Sequence, residues 1–244
     1  MTRHSPLPAI RKLAIAGFSA LALLAAAGCE EKTPTGSRST TGSISSENAA
    51  PVPAGSGFDF YVLSLSWSPS WCAENDPGGD GAQCRRGAGH GFIVHGLWPQ
   101  YERGYPEFCP SRQPERVPAD LGRAYLDIIP SMGLIGHQWR KHGSCSGLGQ
   151  KDYFQTVRRA YEGISIPAGL AQPRNPRRIS AEAVEQAFIA ANPGLSRQGI
   201  AVTCEAGRLA EVRICLTAGL SFRPCAEVDR AACRAKEIGQ PPVQ

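Results

Sequence analysis

The chain of 244 residues, 42% hydrophobic and 19% charged, has the size and composition of one domain with a single core. Its formal net charge of +5 includes Arg3, Arg11 and Lys12 near the start, and without them the charge is about +2. A net charge this small does not indicate a polyanionic partner. Only two local basic clusters could attract one, Arg85 with Arg86 and residues 174–178, and both are equally consistent with solvated surface charge.

The first 28 residues have the pattern of a secretory signal peptide, with basic residues followed by an apolar run at 13–27. The run is shorter than the roughly 20 residues of a membrane-spanning helix. Residues 25–27 suit an ordinary signal peptidase, whereas residues 26–29 resemble the lipobox of a bacterial lipoprotein, whose cysteine is lipidated. The chain has nine cysteines, and lipidation of Cys29 leaves an even number for disulfides, so we favour the lipoprotein.

Residues 29–57 are rich in Ser, Thr, Gly, Ala and Pro and predict a flexible tether, because they cannot bury enough apolar surface to order themselves. Residues 58–244 are the predicted folded domain with a short C-terminal tail. We expect an exported protein that is periplasmic, lipid-anchored to the cell envelope or extracellular, with membrane contact only through Cys29.

The domain mixes strand-like and helix-like segments. Strands are predicted at 58–65, 91–95, 200–204, 209–216 and 220–223, with a turn at 68–70 and a hairpin connection at 217–219. Helices are predicted at 118–129 and 151–161 and between the cap Ser180 and Pro193. Because strands and helices do not alternate regularly, the pattern predicts an α+β fold with a central antiparallel sheet and several helices.

Residues 136–145, GHQWRKHGSC, bring two imidazoles, a lysine and a carboxamide into six consecutive positions. On a helix, which turns by about 100° per residue, these four side chains share an arc of about 140°: His137, Lys141, Gln138 and His142. Trp139 lies outside this arc and could pack inward. Such a density of proton-transfer and anion-binding groups suggests an active site.

A further histidine, His95, ends the apolar segment 91–95 immediately before a glycine. A strand end is a rigid mount for a catalytic group. Taken alone, His95 is equally consistent with a hydrogen-bonded structural residue. His90, five residues earlier, is assigned no role.

The segments IVHGLWP at 93–99 and HQWRKHGSC at 137–145 closely resemble the paired active-site motifs of the ribonuclease T2 family, apolar-His-Gly-Leu-Trp-Pro and His-Glu-Trp-x-Lys-His-Gly-x-Cys. Supporting matches at 58–61, 105–106 and 209–215 extend the resemblance over essentially the whole domain. The resemblance implies a ribonuclease T2-like fold and an endoribonuclease for single-stranded RNA. It implies no cofactor and no metal, and we expect a monomer with RNA as its partner.

By this resemblance, His95 and His142 are the general acid and base, His137 holds the phosphate and Lys141 stabilises charge in the transition state. RNA carries its own nucleophile, the 2′-hydroxyl, so two groups that titrate near neutrality suffice to remove one proton and deliver another. A nearby cation stabilises the accumulating negative charge. The expected product is a 2′,3′-cyclic phosphate, hydrolysed more slowly to a 3′-phosphate. Which histidine is the base stays open.

One catalytic position departs from the family pattern, because Gln138 stands where the family usually has glutamate. Glutamine can donate an N–H to a phosphoryl oxygen, so retained but altered activity is expected. Trp98 and Tyr105 could stack on a base or pack in the core. Gln100 replaces the acidic base-contacting residue of some family members, which implies broad base specificity.

The family pattern also implies four disulfides, although the sequence alone allows many other pairings. The implied pairs are Cys72–Cys84, Cys109–Cys145, Cys204–Cys233 and Cys215–Cys225.

Two rival classes are weaker. A metal-dependent hydrolase is disfavoured because His137 and His142 are five residues apart, whereas the zinc-binding helix motif places its histidines four apart. A non-catalytic RNA-binding or inhibitory envelope protein has Gln138 as its only support.

Overall fold

The computed structural model describes residues 53–244, so the predicted signal peptide, the lipidation site Cys29 and most of the predicted tether lie outside the described residues. Of the tether, residues 53–57 are described, and the N–H of Ser56 donates to the carbonyl of Ser146 at 2.9 Å. The domain therefore includes residues just before the predicted boundary at Phe58. Among residues 53–244, no helix combines the length and the hydropathy needed to cross a membrane.

A single sheet forms the centre of the described domain. Its six strands are β1 (Phe60–Trp67), β2 (Phe92–Gln100), β3 (Arg177–Ile179), β4 (Ile200–Glu205), β5 (Arg208–Leu216) and β6 (Ile238–Gln240). The order is β2-β1-β5-β6-β3, and β4 also pairs with β5. Neighbouring strands are antiparallel except β5 and β6, which meet in parallel at Arg208 and Gly239. The predicted α+β class is confirmed, with this one parallel pair added to the antiparallel sheet.

β1 lies between β2 and β5 and is buried along its whole length. Successive side chains of a strand point to opposite faces. Leu63, Leu65 and Trp67 therefore share one face and belong to the main hydrophobic core, whereas Ser64 and Ser66 lie on the other. These small residues matter below, because the candidate site is built over them.

Seven helices accompany the sheet in the described residues. They are α1 (Ser68–Asn75), α2 (Ala119–Arg123), α3 (Met132–Lys141), α4 (Gln150–Glu162), α5 (Ala168–Ala171), α6 (Ala181–Ala191) and α7 (Ala226–Arg230). The side chains of Ser131 and Ser180 accept backbone hydrogen bonds at the starts of α3 and α6. The predicted cap at Ser180 is thus confirmed.

Three local predictions were wrong. The turn at 68–70 is the first turn of α1, where Pro69 is tolerated because the first helical N–H groups have no helical partner. The helix predicted at 118–129 ends at Arg123, and the carbonyl of Ile128 instead accepts the N–H of Val94 on β2 at 2.9 Å. Residues 220–223 form no strand and contribute an isolated bridge between Leu216 and Phe222.

The chain does reverse at the predicted connection 217–219, where the N–H of Thr217 donates to the carbonyl of Ser221 at 2.8 Å, and a further hairpin joins β4 to β5. Ala206 and Gly207 between these strands have φ values of +46° and +74°. Two consecutive left-handed residues suit a two-residue hairpin, whose twist matches that of the strands. Gly207 supplies this conformation without steric cost.

Four disulfides stabilise the domain, and they are the pairs that the resemblance implies: Cys72–Cys84, Cys109–Cys145, Cys204–Cys233 and Cys215–Cys225. Trp139, which the helical arc directs inward, is 1% exposed. It packs beside Tyr153 of α4, with ring centroids 5.9 Å apart.

Candidate active site

His95 lies at an irregularity in the pairing of β1 with β2. Ser64 pairs with Gly96 and Leu65 pairs with Val94, so His95 is the extra residue of a β-bulge. A bulge re-aims the side chain that it carries, and bulges are over-represented next to active sites. His95 is thereby directed toward Glu211, across β1 from it.

Glu211 on β5 is the hydrogen-bond partner of His95. Its Oε1 accepts from Nδ1 of His95, and its Oε2 accepts from Nε and Nη2 of Arg213 at 2.9 and 2.7 Å. Burial alone would raise the pKa of Glu211, but the hydrogen bond from His95 and the charge of Arg213 lower this pKa to about 2. Because a carboxylate only accepts, Nδ1 carries the hydrogen and Nε2 of His95 is left for another partner.

The C-terminal end of α3 carries the other predicted catalytic residues. His137, Gln138 and Lys141 lie in its last turns, and His142 is the capping residue before a 3₁₀ turn at Gly143–Cys145. Trp139 on the opposite side is buried in the core. The four polar side chains thus share a face, as the helical arc predicts.

Gln138 is buried, and Trp98 determines how its amide is oriented. The Nε1–H of Trp98 donates to Oε1 of Gln138 at 2.9 Å. An indole N–H can only donate, so the amide oxygen faces Trp98 and the amide nitrogen points elsewhere. Gly96 leaves room for this contact, because a Cβ there would lie 2.0 Å from Oε1 of Gln138.

Trp98 stands between the two histidines expected to move protons. Its ring stacks on that of His142, with centroids 5.3 Å apart at 28°, and meets His95 edge-on at 5.3 Å and 80°. Burial is the main cause, and the charge of Lys141 the second, that lowers the pKa of His142 to about 3. His142 is therefore neutral at pH 7. Among the described residues its Nδ1 has no hydrogen-bond partner.

His137 and Lys141 lie beside a loop that the Cys109–Cys145 disulfide attaches to the end of α3. Burial and the charge of Lys141 lower the pKa of His137. Nζ of Lys141 is 3.4 Å from Oε2 of Glu107, and the N–H of Phe108 donates to the carbonyl of Lys141 at 2.9 Å. The loop is thus bound to α3 through backbone, ion pair and disulfide.

All eight predicted catalytic and substrate-binding residues line one cavity of about 250 Å³. They are His95, Trp98, Gln100, Tyr105, His137, Gln138, Lys141 and His142, and Arg213 is the ninth lining residue. Tyr105 is 52% exposed, which excludes the core-packing alternative for it. Two larger cavities, of about 610 and 540 Å³, adjoin His95 on its other sides. His90 does not line the site.

Glu211 and Arg213 are the site residues that sequence reasoning missed. They stand two apart in an otherwise largely apolar strand, RLAEVRICL, so their side chains point to the same face. That spacing was a usable signal. Across residues 53–244, no group of three or more His, Cys, Asp or Glu side chains has the geometry to hold a metal ion.

The fold and the cavity define a disulfide-linked α+β domain with a paired-histidine site. Among solved structures, an RNase-related protein from Calystegia sepium resembles it with a TM-score of 0.62 and 20% identity, covering 78% of this chain and 100% of that one. This likeness concerns the fold alone. The chain belongs to the ribonuclease T2 family, whose model matches residues 58–225.

Two bacterial relatives match part of the chain. A ribonuclease of Aeromonas hydrophila is 46% identical over 98 residues, which are 40% of this chain and 42% of that protein. A probable ribonuclease of Haemophilus influenzae is 33% identical over 121 residues, 45% of this chain and 44% of that protein. The chain thus spans less than half the length of these curated relatives.

Proposed function

We propose that the protein is an endoribonuclease that cleaves single-stranded RNA without a metal, by transesterification through a 2′,3′-cyclic phosphate. The observation that carries this proposal is the convergence of His95, His142, His137, Lys141 and Gln138 on one cavity. Membership of the ribonuclease T2 family supports it.

In the first step, His142 is the base. It is neutral at pH 7 because of its lowered pKa, so it can accept the proton of the ribose 2′-hydroxyl. The 2′-oxygen then forms a bond to the phosphorus. A bound phosphate also brings negative charge next to His142, which favours its protonated form as the proton arrives.

His95 is the acid of the same step. As the bond from phosphorus to the 5′-oxygen breaks, Nε2 of a protonated His95 donates its hydrogen to the departing oxygen. Its hydrogen bond to the Glu211 carboxylate holds Nδ1 and leaves Nε2 free to face the departing oxygen. In the slower second step the roles reverse, water attacks the cyclic phosphate, and a 3′-phosphate results.

Lys141, His137 and Gln138 hold the phosphoryl oxygens. Lys141 offsets the negative charge that builds up on them, and preorganised groups of this kind contribute several kcal/mol in other enzymes. The amide nitrogen of Gln138 is directed away from Trp98 and can donate to a phosphoryl oxygen. This role explains how glutamine can replace the family's usual glutamate.

The bases are held with little discrimination. Trp98 and Tyr105 offer stacking surfaces that suit any base. Gln100, in the position of an acidic base-contacting residue, donates its amide to the carbonyl of Pro99 at 2.9 Å. We therefore expect cleavage of all dinucleotide types at rates within about tenfold of each other, because stacking tolerates any base.

The deciding experiment incubates the purified protein with single-stranded RNA and EDTA and identifies the new termini. Cyclic phosphates that later become 3′-phosphates are expected, while a DNA of the same sequence stays intact. Intact RNA that is nevertheless bound would favour the non-catalytic alternative. Activity lost with EDTA and restored by zinc would favour the metal-dependent one.

The two histidines are tested by His95→Ala and His142→Ala. Each variant is expected to lose about 10²- to 10⁴-fold in kcat, the usual contribution of general acid–base catalysis. Circular dichroism and thiol titration should show an unchanged disulfide-bonded fold. Near-native turnover in either variant would refute its role.

We also propose that residues 1–28 are a signal peptide, residues 29–57 a tether and Cys29 a lipidation site, which gives a monomer anchored to the cell envelope or released into the periplasm. Mass spectrometry of the N-terminal peptide from native protein tests this. A diacylglyceryl-modified Cys29 is expected. An unmodified peptide that begins at residue 28 or 29 would contradict lipidation and would indicate export as a soluble protein.

A further inference from the structure

A chain of contacts runs behind His95 and returns to His142. Glu211 binds Nδ1 of His95, and Arg213 donates to the other carboxylate oxygen of Glu211 through two nitrogens. The guanidinium of Arg213 lies 5.3 Å from the centre of the Trp98 ring, and that ring stacks on His142. One acidic and one basic side chain on β5 therefore connect to both proton-transfer histidines.

This arrangement depends on small residues in β1. β1 separates β2 from β5, and neighbouring strands lie about 4.8 Å apart, so Glu211 and His95 must meet over the middle strand. Ser66 pairs with Glu211 and Ser64 pairs with both Gly96 and Arg213. Serines at these positions leave the space that a large side chain would fill.

Glu211 is charged under all working conditions. Its pKa is lowered to about 2, with His95 and Arg213 outweighing the effect of burial. The other titratable or charged groups around His95 are cations or imidazoles at the end of α3 and carboxylates on the rims of the adjoining cavities. They are His137, Lys141 and His142, and Asp76, Glu74 and Glu205. Only Glu211 is in hydrogen-bond contact with His95 among the described residues.

We propose that Glu211 and Arg213 are positioning residues, which fix the tautomer and the orientation of the His95 ring so that Nε2 faces the scissile phosphate. The inference rests on the proposed function. Arg213 orients the carboxylate through its two donated bonds, and its stacking on Trp98 keeps the guanidinium at the cavity wall.

The test is Glu211→Gln, which can keep an oxygen acceptor for Nδ1–H. It removes the charge and places an amide NH2, which cannot accept, against the N–H groups of Arg213. We expect kcat/KM on RNA to fall about 10- to 100-fold, the size of one lost charge-assisted hydrogen bond. The loss should lie in kcat with KM nearly unchanged, because the variant misplaces the His95 ring and leaves the substrate-holding groups intact. Arg213→Lys, which loses the planar fork, should lower kcat by less.

Glu185→Gln is the matched control. Glu185 is also a buried carboxylate and accepts the N–H of Val202 at 3.0 Å, but it does not line the cavity. This variant should keep the wild-type kcat in its folded state even if it unfolds more readily. An unchanged kcat in Glu211→Gln, or an equal loss in Glu185→Gln, would overturn the inference.

A second measurement separates this inference from the proposed function. Nitrogen-15 NMR of the His95 ring gives its tautomer directly, without turnover. Wild type should carry the neutral-form hydrogen on Nδ1, and this preference should weaken in Glu211→Gln, because a neutral amide is a weaker acceptor. If wild type fails to cleave RNA, the proposed function falls while the tautomer still decides the role of Glu211. An unchanged tautomer population would overturn that role.

Discussion

Burial acts differently on His142 and on Glu211, the hydrogen-bond partner of His95. His142 has no hydrogen-bond partner at Nδ1 in the described part of the chain, so burial and the neighbouring Lys141 lower its pKa to about 3. Glu211 is also buried, yet His95 and Arg213 keep it anionic. One side of the site therefore holds a neutral imidazole and the other a charged pair, which is the asymmetry that a base and an acid require.

The neutral burial of His142 predicts acid-sensitive stability. An unfolded histidine binds a proton below about pH 6.5, whereas folded His142 does so only near pH 3, so the unfolded state binds more protons in this window. The contribution of neutral His142 to the free energy of unfolding is therefore fully present above pH 6.5 and is lost as the pH falls toward 3. Between pH 6.5 and 5, His142 should remove about 1–2 kcal/mol from the free energy of unfolding. Urea unfolding at several pH values measures this.

His142→Phe serves as the comparison, since a phenyl ring can occupy the stacked position on Trp98 without titrating. Its free energy of unfolding should fall less steeply over the same interval. Parallel pH dependences for wild type and variant would show that His142 is not the group responsible.

Gln138→Glu tests what a carboxylate does in this position. Trp98 can still donate to an oxygen, but a negative charge now stands beside His137 and His142 and favours their protonated forms. The acid limb of kcat/KM should move to higher pH by roughly one unit. The measurement is the pH profile on a dinucleotide substrate. Gln138→Met, which is neutral, should leave the limb in place, and equal shifts in both variants would contradict the charge argument.

Sequence patterns identified the residues of the site better than their partners. The helical arc grouped His137, Lys141 and His142, which are close in sequence, whereas His95 was joined to them only by the resemblance to the ribonuclease T2 family. Glu211 lies 116 residues beyond His95, and only the strand order β2-β1-β5 brings them together. Long-range pairing of that kind follows from the packing of the whole sheet, which local spacing does not encode.

At the scale of elements, the site is assembled from a bulged strand and a helix end. The N–H of Val94, beside the bulge at His95, donates to the carbonyl of Ile128, which lies in the segment predicted as helix. This contact between a strand and a distant segment is not encoded in local periodicity. At 68–70 the proline predicted an interruption where α1 begins, and at 220–223 only the bridge of Leu216 with Phe222 forms.

The Cys109–Cys145 disulfide should matter for activity as well as stability. It attaches the loop that carries Tyr105 and Glu107 to the end of α3. Replacing both cysteines by serine should lower the free energy of unfolding by about 3–4 kcal/mol. At temperatures where the variant is still folded, KM for RNA should rise, because the loop no longer holds its position beside Lys141. Steady-state kinetics with parallel circular dichroism measures both effects.

Removal of Cys204–Cys233 is the matched control, because this disulfide closes a chain segment of similar length, 29 residues against 36, away from the α3 end. A comparable loss of stability with KM unchanged in the folded state is expected. If both double variants changed KM equally, the specific role of Cys109–Cys145 would be wrong.

At the scale of the whole molecule, the positive charge available to a polyanionic substrate is local. Arg177 is engaged by Gln240 and the carbonyl of Gly169, and Arg178 pairs with Glu237, so much of the cluster at 174–178 is already satisfied. The cations lining the candidate active site are Lys141 and Arg213. A substrate held mainly by these two should release few counterions on binding.

The salt dependence of cleavage should therefore be shallow. For about two phosphate contacts on a single strand, log kcat/KM should fall with log salt concentration with a slope of roughly −1 to −2. Arg85→Glu combined with Arg86→Glu should not change this slope, because both side chains are exposed and neither lines the site. A slope steeper than about −4, or one that flattens in the double variant, would instead mean that distant basic residues follow the RNA backbone. In that case a row of basic residues outside the candidate active site would bind the RNA backbone, although the net charge of the domain is near neutral. Measurements from 50 to 300 mM salt should then be made on a long RNA and on a dinucleotide. Only the long substrate could reach the distant residues, so only its slope would be steep.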